Sequence, residues 1–170
     1  MFNRLLAAPA HDLHVRQIMD EGRVLLVNLS KGRIGEDSSS LLGGLLVTTL
    51  GLAAFSRAEL PARERPDFYV YIDEFQNFTT LAMANMFSEL RKYRVGCTVA
   101  HHYRHRLEPD VRDAVLGNAG SIISFRVGAE DAQHLAREFL GTFEEADLLQ
   151  LPNYRILSEA HDRRDAVAAI

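Results

Sequence analysis

Two acids stand side by side at Asp73 and Glu74, directly after the apolar run Phe68-Tyr69-Val70-Tyr71-Ile72. An ionised carboxylate is a hard oxygen donor suited to a divalent cation, and a neighbouring one can take a proton from water. Their placement is what makes the pair informative. In an open parallel sheet, ligands occupy the crevice beyond the carboxyl ends of the strands. The same two residues would also serve where a strand ends in solvated acids that begin a turn or cap a helix. His101, His102 and His105 interleave with Tyr103, Arg104 and Arg106. On a helix His101 and His105 would share a face and could hold zinc, although no third ligand lies obviously nearby. The stretch equally suits nucleic-acid phosphates or a solvated loop. Cys97, inside an apolar run, reads as a buried and inert thiol.

These residues need a scaffold. Four short, continuously apolar runs recur along the chain: Arg23 to Asn28, Phe68 to Ile72, Cys97 to Ala100 and Ser121 to Val127. Continuous rather than alternating apolarity predicts strands buried on both faces of a parallel sheet. Helix-length stretches separate them. Ser38 to Ala58 is apolar enough to be largely buried, Thr80 to Tyr93 gathers Leu81, Met83, Met86, Phe87 and Leu90 on one side, and Glu130 to Leu140 stops at Gly141. The β-α-β-α order predicts a three-layer α/β domain. Loops are expected over 58–67 and 104–109, a helical lead-in over 1–20, and a loose helix from Glu159 onward.

The composition bounds what such a domain can do. The chain has 170 residues, 47% of them hydrophobic and 25% charged, which is the make-up of one globular domain. A net charge of −4 excludes a uniformly basic coat for nucleic acid but leaves room for a local basic groove. A single cysteine excludes a disulfide framework and a cysteine-based zinc site. The longest apolar run, Leu41 to Phe55, is broken by glycines and is shorter than the roughly 20 residues a membrane span needs. The first residues show no secretory pattern, so a soluble cytosolic domain is expected.

The hydrophobic strand ending in Asp-Glu matches the second nucleotide motif of P-loop ATPases, where the Asp holds Mg²⁺ and the Glu activates water. With its neighbours it resembles something narrower. Glu21 to Glu36 with Leu41-Leu42-Gly43, Tyr69 to Phe78 (YVYIDEFQNF), Ser88 to Tyr93, Gly117 to Gly120, Phe125 to Gly128 with Glu130 to Ala132, and Leu151 to Tyr154 are similar, in order and spacing, to the conjugative-transfer coupling ATPases. These are the TraG/TraD type of type IV secretion, related to the HerA and FtsK DNA-pumping motors. The similarity runs from about Asp12 to Leu157.

This resemblance implies a RecA-like, mostly parallel three-layer core that works as a homo-oligomeric ring, usually a hexamer, with ATP and Mg²⁺ at subunit boundaries. It implies that Asp73 coordinates Mg²⁺ and that Glu74 is the catalytic base. Arg91 matches the arginine that reaches a neighbouring subunit's γ-phosphate, a role suited to a permanently charged fork, though a cation there also complements a helix dipole. Arg126 is a second such candidate. His102 falls where the family usually has a sensor glutamine. The partners implied are single-stranded DNA or a relaxase–DNA complex and the secretion channel. The place implied is the cytoplasmic face of a bacterial membrane, reached through an N-terminal anchor this chain does not carry.

One motif is missing. No G-x-x-x-x-G-K-[ST] occurs in the sequence, and Lys31 to Ser38 puts its lysine before the glycines. The expectation is therefore the C-terminal part of a motor: residues 1–20 as lead-in, 21–158 as motor core and 159–170 as tail, unable to hydrolyse ATP alone. The family's P-loop strand lies between the Cys97 and Ser121 strands. Its absence should leave those two separated by a groove or paired directly. Two alternatives remain: a non-catalytic interaction module that keeps the motor fold, and a metal-dependent hydrolase using Asp73, Glu74 and the histidines.

Overall fold

The computed structural model describes residues 13–79, 81–102, 107–160 and 167–169. It is a mixed α/β fold built on a five-stranded sheet. A short helix α1 (Val15–Asp20) leads into an irregular stretch and a single turn α2 (Lys31–Ile34). The long helix α3 (Glu36–Ser56) follows. Then come β1 (Phe68–Ile72), α4 (Leu81–Leu90), β2 (Val95–Ala100), α5 (Pro109–Asn118), β3 (Ser121–Ser124), α6 (Ala129–Glu138), α7 (Glu145–Leu149), β4 (Leu157–Ala160) and β5 (Val167–Ala169).

The strand order is β1-β2-β5-β3-β4. β1, β2, β5 and β3 run parallel, and β4 closes the far edge antiparallel to β3. The register settles which side chains share a face, because paired residues point the same way and neighbours along a strand alternate. Phe68, Val70 and Ile72 line up with Val95, Cys97 and Val99, and onward with Ile122 and Leu157. Every strand residue of the two core clusters comes from this face. Here α3, α4 and α5 cover β1 and β2, while α6 and α7 cover β3 and β4.

The other face carries Tyr69, Tyr71, Gly96, Thr98, Ala100, Ser121, Ile123, Ser158 and Ala160, each half-buried or exposed. Tyr69 is 64% and Tyr71 74% accessible, so among the described residues no helical layer covers this side. The expected three layers are two. The sequence misled because Phe-Tyr-Val-Tyr-Ile reads as continuously apolar, whereas its two tyrosines keep their hydroxyl ends in water.

Three more expectations change. The run Arg23 to Asn28 is not a strand, and Val24 (85%) and Leu26 (91%) project into solvent. A ladder needs a neighbour, and no described strand pairs there. Of the loose helix expected from Glu159 onward, Glu159 and Ala160 end β4 and Val167–Ala169 form β5, while residues 161–166 and 170 lie outside the described residues. Between β2 and β3 there is neither a groove nor direct pairing, because β5 lies there, parallel to both. α5 and α7 were not foreseen: α5 begins with Pro109 in its first turn, and α7 is fixed by a capping box between Glu144 and Asp147.

Helix α3 is buried on its small side. Ser39, Gly43, Val47, Gly51 and Ala54 face inward, whereas Leu41, Leu45 and Leu52 are more than half exposed. A methyl group on Gly43 would stand 2.1 Å from the Phe78 ring, and one on Gly51 would stand 1.6 Å from Met86 Sδ. Close approach to those two side chains demands glycine, at a cost of about 1 kcal/mol each in helix propensity. With the 3₁₀ turn that follows, residues Glu36–Glu59 form one helical stretch of 24 residues, within which an 18-residue window has mean hydropathy 1.6. By length and composition it could cross a membrane, although the apolar run alone is shorter. Its inner face packs on α4, as a domain helix does.

The amino ends of the strands are tied together by ions. Arg57 is wholly buried; its Nε donates to Asp20 Oδ1 at 2.9 Å and its Nη1 to the Tyr93 carbonyl at 3.0 Å. Arg16 also bonds Asp20. This joins α1, the end of α3 and the turn before β2. Burial alone would raise the Asp20 carboxyl, but the hydrogen bonds from Arg16 and Arg57 outweigh it and hold the group below its ordinary value. Beside it, Arg94 grips Asp67 through two bonds of 2.7 and 3.0 Å, and the Arg94 carbonyl accepts from Phe68 N.

Candidate functional site

β1 ends at Ile72, and the chain must leave the sheet at once because the next element is a 3₁₀ turn, Phe75–Asn77. Phe75 is completely buried and meets the Phe87 ring edge-on at 5.5 Å, so it anchors the turn from below. Glu74 absorbs the change of direction with φ 51° and ψ 41°. That left-handed conformation is costly for a residue with a Cβ and is found where surrounding structure enforces it. Asp73 Oδ1 accepts the Glu74 amide at 2.9 Å, which helps to hold the bend.

The Glu74 carboxylate turns toward the end of the neighbouring strand β2. Its Oε1 lies 3.2 Å from His102 Nε2, an ion pair when the imidazole is protonated, and its Oε2 accepts from Gln76 Nε2 at 2.5 Å. The pair is open to solvent, with the Glu74 side chain 45% and the His102 side chain 71% accessible. Asp73 is exposed, with Oδ1 engaged by the backbone. Lys31 also reaches this corner: its Nζ donates to Asn77 Oδ1 at 2.8 Å and to Glu36 Oε1 at 3.0 Å. The segment before α3 is thereby pinned to the turn that carries the acids. Sequence reading missed Lys31, Gln76 and Asn77, although Gln76 and Asn77 sit in the same tract as Asp73 and Glu74.

Asp73, Glu74 and His102 therefore come together from two adjacent parallel strands. Arg126 follows β3 on the same edge of the sheet, but three strand spacings away, about 14 Å. Arg91 lies in the 3₁₀ turn Arg91–Tyr93 ahead of β2, on the opposite edge. The length of β2 separates it from Glu74, about 20 Å at 3.3 Å per residue. Within one chain Arg91 cannot touch the site. His101 is buried at the end of β2, 4% accessible, while His105 is outside the described residues, as are Tyr103, Arg104 and Arg106. The zinc pairing of His101 with His105 falls there too. Among the described residues no group of three or more His, Cys, Asp or Glu side chains could hold a metal.

The donor set suits one kind of cation. Mg²⁺ keeps several waters and takes one or two carboxylates together with substrate phosphates. A single exposed aspartate fits that habit and does not fit a zinc site. Cys97 is no part of this chemistry: it is buried on the helical face, and burial pushes its thiol up to about 12. No family model, curated protein or solved structure matches the chain.

Proposed function

We propose that this chain is the C-terminal part of a RecA-like coupling ATPase, carrying the acidic half of a nucleotide site and lacking the phosphate-binding loop. The observation that carries the reading is the position of Asp73 and Glu74. They follow a parallel strand at the carboxyl edge of the sheet, where open α/β sheets bind ligands, and Glu74 is aimed at His102 on the next strand. In the assembled motor Asp73 would hold Mg²⁺, which would supply positive charge beside the transferring phosphate. Glu74 takes the proton of the attacking water, and His102 and Gln76 fix the carboxylate's orientation. Arg91, on the far edge, serves the site of a neighbouring copy in a hexameric ring. The work done is transfer of single-stranded DNA or a relaxase–DNA complex through a type IV secretion channel, at the cytoplasmic face of the membrane.

One observation favours a second reading, a non-catalytic module of the same machinery. β5 fills the place between β2 and β3 where a phosphate-loop strand would run. Reconstitution separates the two. The purified chain alone should show no ATPase activity. Mixed with a P-loop-bearing N-terminal fragment of a coupling ATPase, it should hydrolyse ATP, and Glu74→Gln should lower that rate by about 10²-fold or more. Activity from the chain alone refutes the missing-loop reading, and a mixture indifferent to Glu74→Gln favours the module.

A further inference from the structure

Lys31 stands at the same edge of the sheet as the two acids, and both segments that meet there are fixed. Its own segment is held through the backbone: Asn28 Oδ1 accepts the Ser30 amide at 3.0 Å, and the buried Ser39 hydroxyl donates to the Leu29 carbonyl at 2.6 Å. Gly35, at φ 86°, then turns the chain into α3. In the acid-bearing turn the Asn77 amide donates to the Glu74 carbonyl at 2.9 Å, and the Phe78 ring lies against Gly43 of α3. Lys31 Nζ reaches across to Asn77 Oδ1. The path from Nζ through Asn77 to the Glu74 carbonyl is about 10 Å at its longest.

The bonds that hold this ammonium are weak. Asn77 Oδ1 is neutral, and the Glu36 side chain is 74% accessible, so water screens that ion pair. At the other edge Arg57 and Arg94 are gripped by Asp20 and Asp67. An ammonium carries three donors, of which two are engaged here among the described residues. A phosphate oxygen, being charged, makes a shorter and stronger bond to an ammonium than an amide oxygen does. The surroundings also call for a cation. Asp73 and Glu74, with Glu36 and Asp37 at the start of α3, repel a polyphosphate unless positive charge offsets them.

We propose that Lys31 is a phosphate-binding residue, which leaves Glu36 and Asn77 to bind an oxygen of a polyphosphate lying beside Asp73. This rests on the nucleotide-site reading above and names a cation for that site within the chain itself. It comes from the segment ahead of α3 rather than from a phosphate loop. Lysine suits the role as a compact point charge on a flexible stem. The competing role is a tether between the two segments, and the two roles part at Asn77.

The test uses the full chain and inorganic pyrophosphate with Mg²⁺ as the probe, followed by titration calorimetry and NMR. The parent should bind with a Kd of about 1 mM. Lys31→Met should weaken binding about tenfold, and Lys31→Arg, which keeps the charge, no more than about threefold. Asn77→Ala removes the tether and keeps the ammonium, so its affinity should stay within about twofold of the parent. Glu36→Gln removes the competing carboxylate and should tighten binding about twofold. In the parent the Lys31 side-chain signal should shift on addition of the probe, with the midpoint found by calorimetry. The proposal is overturned if the parent does not bind the probe, if Lys31→Met binds as the parent does, or if the Lys31 signal ignores the probe. It is also overturned if Asn77→Ala loses as much as Lys31→Met, which would make Lys31 a tether. Should Lys31→Met fail to fold, the parent's Lys31 signal and Asn77→Ala decide. Hydrolysis is not read. A mixture that fails to hydrolyse ATP while pyrophosphate binding follows Lys31 fells the motor reading alone. Hydrolysis that responds to Glu74→Gln, with pyrophosphate binding blind to Lys31, fells this proposal alone.

Discussion

The two edges of the sheet treat charge in opposite ways. At the amino edge Arg57 is fully buried, bonded to Asp20 and to the Tyr93 carbonyl, while Arg94 closes on Asp67. Those charges are committed to holding α1, α3, β1 and β2 in place. At the carboxyl edge Asp73, Glu74 and His102 are largely exposed, and Glu74 sits on a left-handed backbone. Charge on that side costs conformational energy and remains available to a ligand. Such a division lets the loops at one end vary while the other end keeps the sheet together.

The comparison breaks first at Arg57. Arg57→Ala deletes a fully buried side chain, leaves the part-buried Asp20 with Arg16 as its charged partner, and leaves the Tyr93 carbonyl without its donor. The lost packing and hydrogen bonds should cost about 1–3 kcal/mol. Urea unfolding followed by circular dichroism should show a drop of that size, whereas Glu74→Gln should leave the midpoint within about 0.5 kcal/mol of the parent, as surface changes do. If the two variants were equally mild, the amino edge would not be the structural one.

Acid should loosen the same edge by less. Asp20 is held below its ordinary value of 3.8 in the folded chain. A group lowered on folding stabilises the protein fully above its unfolded pKa, and that contribution disappears as the pH falls toward the folded value. The unfolding midpoint should therefore decline below about pH 4. In Asp20→Asn the midpoint is lower at neutral pH, but the decline on acidification is shallower. A chain whose acid sensitivity is unchanged by Asp20→Asn would show that other carboxylates carry it.

What the sequence discloses follows the same division. The tract from Phe68 to Glu74 is legible because a five-residue apolar run between Pro66 and two acids has few other local solutions. The carboxyl-edge acids follow from it, since a strand's end is where a parallel sheet offers its crevice. His102 became a partner of Glu74 only through the pairing of β1 with β2, a contact between residues far apart in sequence. Arg57 gave no warning, because arginine is rarely fully buried and nothing nearby in sequence announces Asp20 as its partner. β5 was hidden by its own composition. Val-Ala-Ala in a charged, alanine-rich stretch favours a helix locally, and only the slot between β2 and β3 makes it a strand. The open sheet face was unreadable for a related reason: tyrosine serves a buried strand and a half-wet one equally well.

The smallest effect has the opposite sign, and it tests whether the bend at Glu74 is kept for a reason other than stability. Glycine adopts the left-handed region without a Cβ penalty, so Glu74→Gly relieves strain of order 1–2 kcal/mol. It also loses roughly 0.5–1 kcal/mol through the greater freedom of the unfolded chain. The contact with His102 is exposed and contributes little, and the part-buried hydrogen bond from Gln76 takes back part of the gain. The balance is a stabilisation of about 0.5 kcal/mol, read as a small upward shift in the urea midpoint. Glu74→Gln keeps the Cβ and the strain, so it should give no such gain. If glycine stabilised and glutamine did not, the carboxylate would be standing where the fold prefers a glycine, which is how a site under functional demand differs from a turn that only needs to reverse the chain.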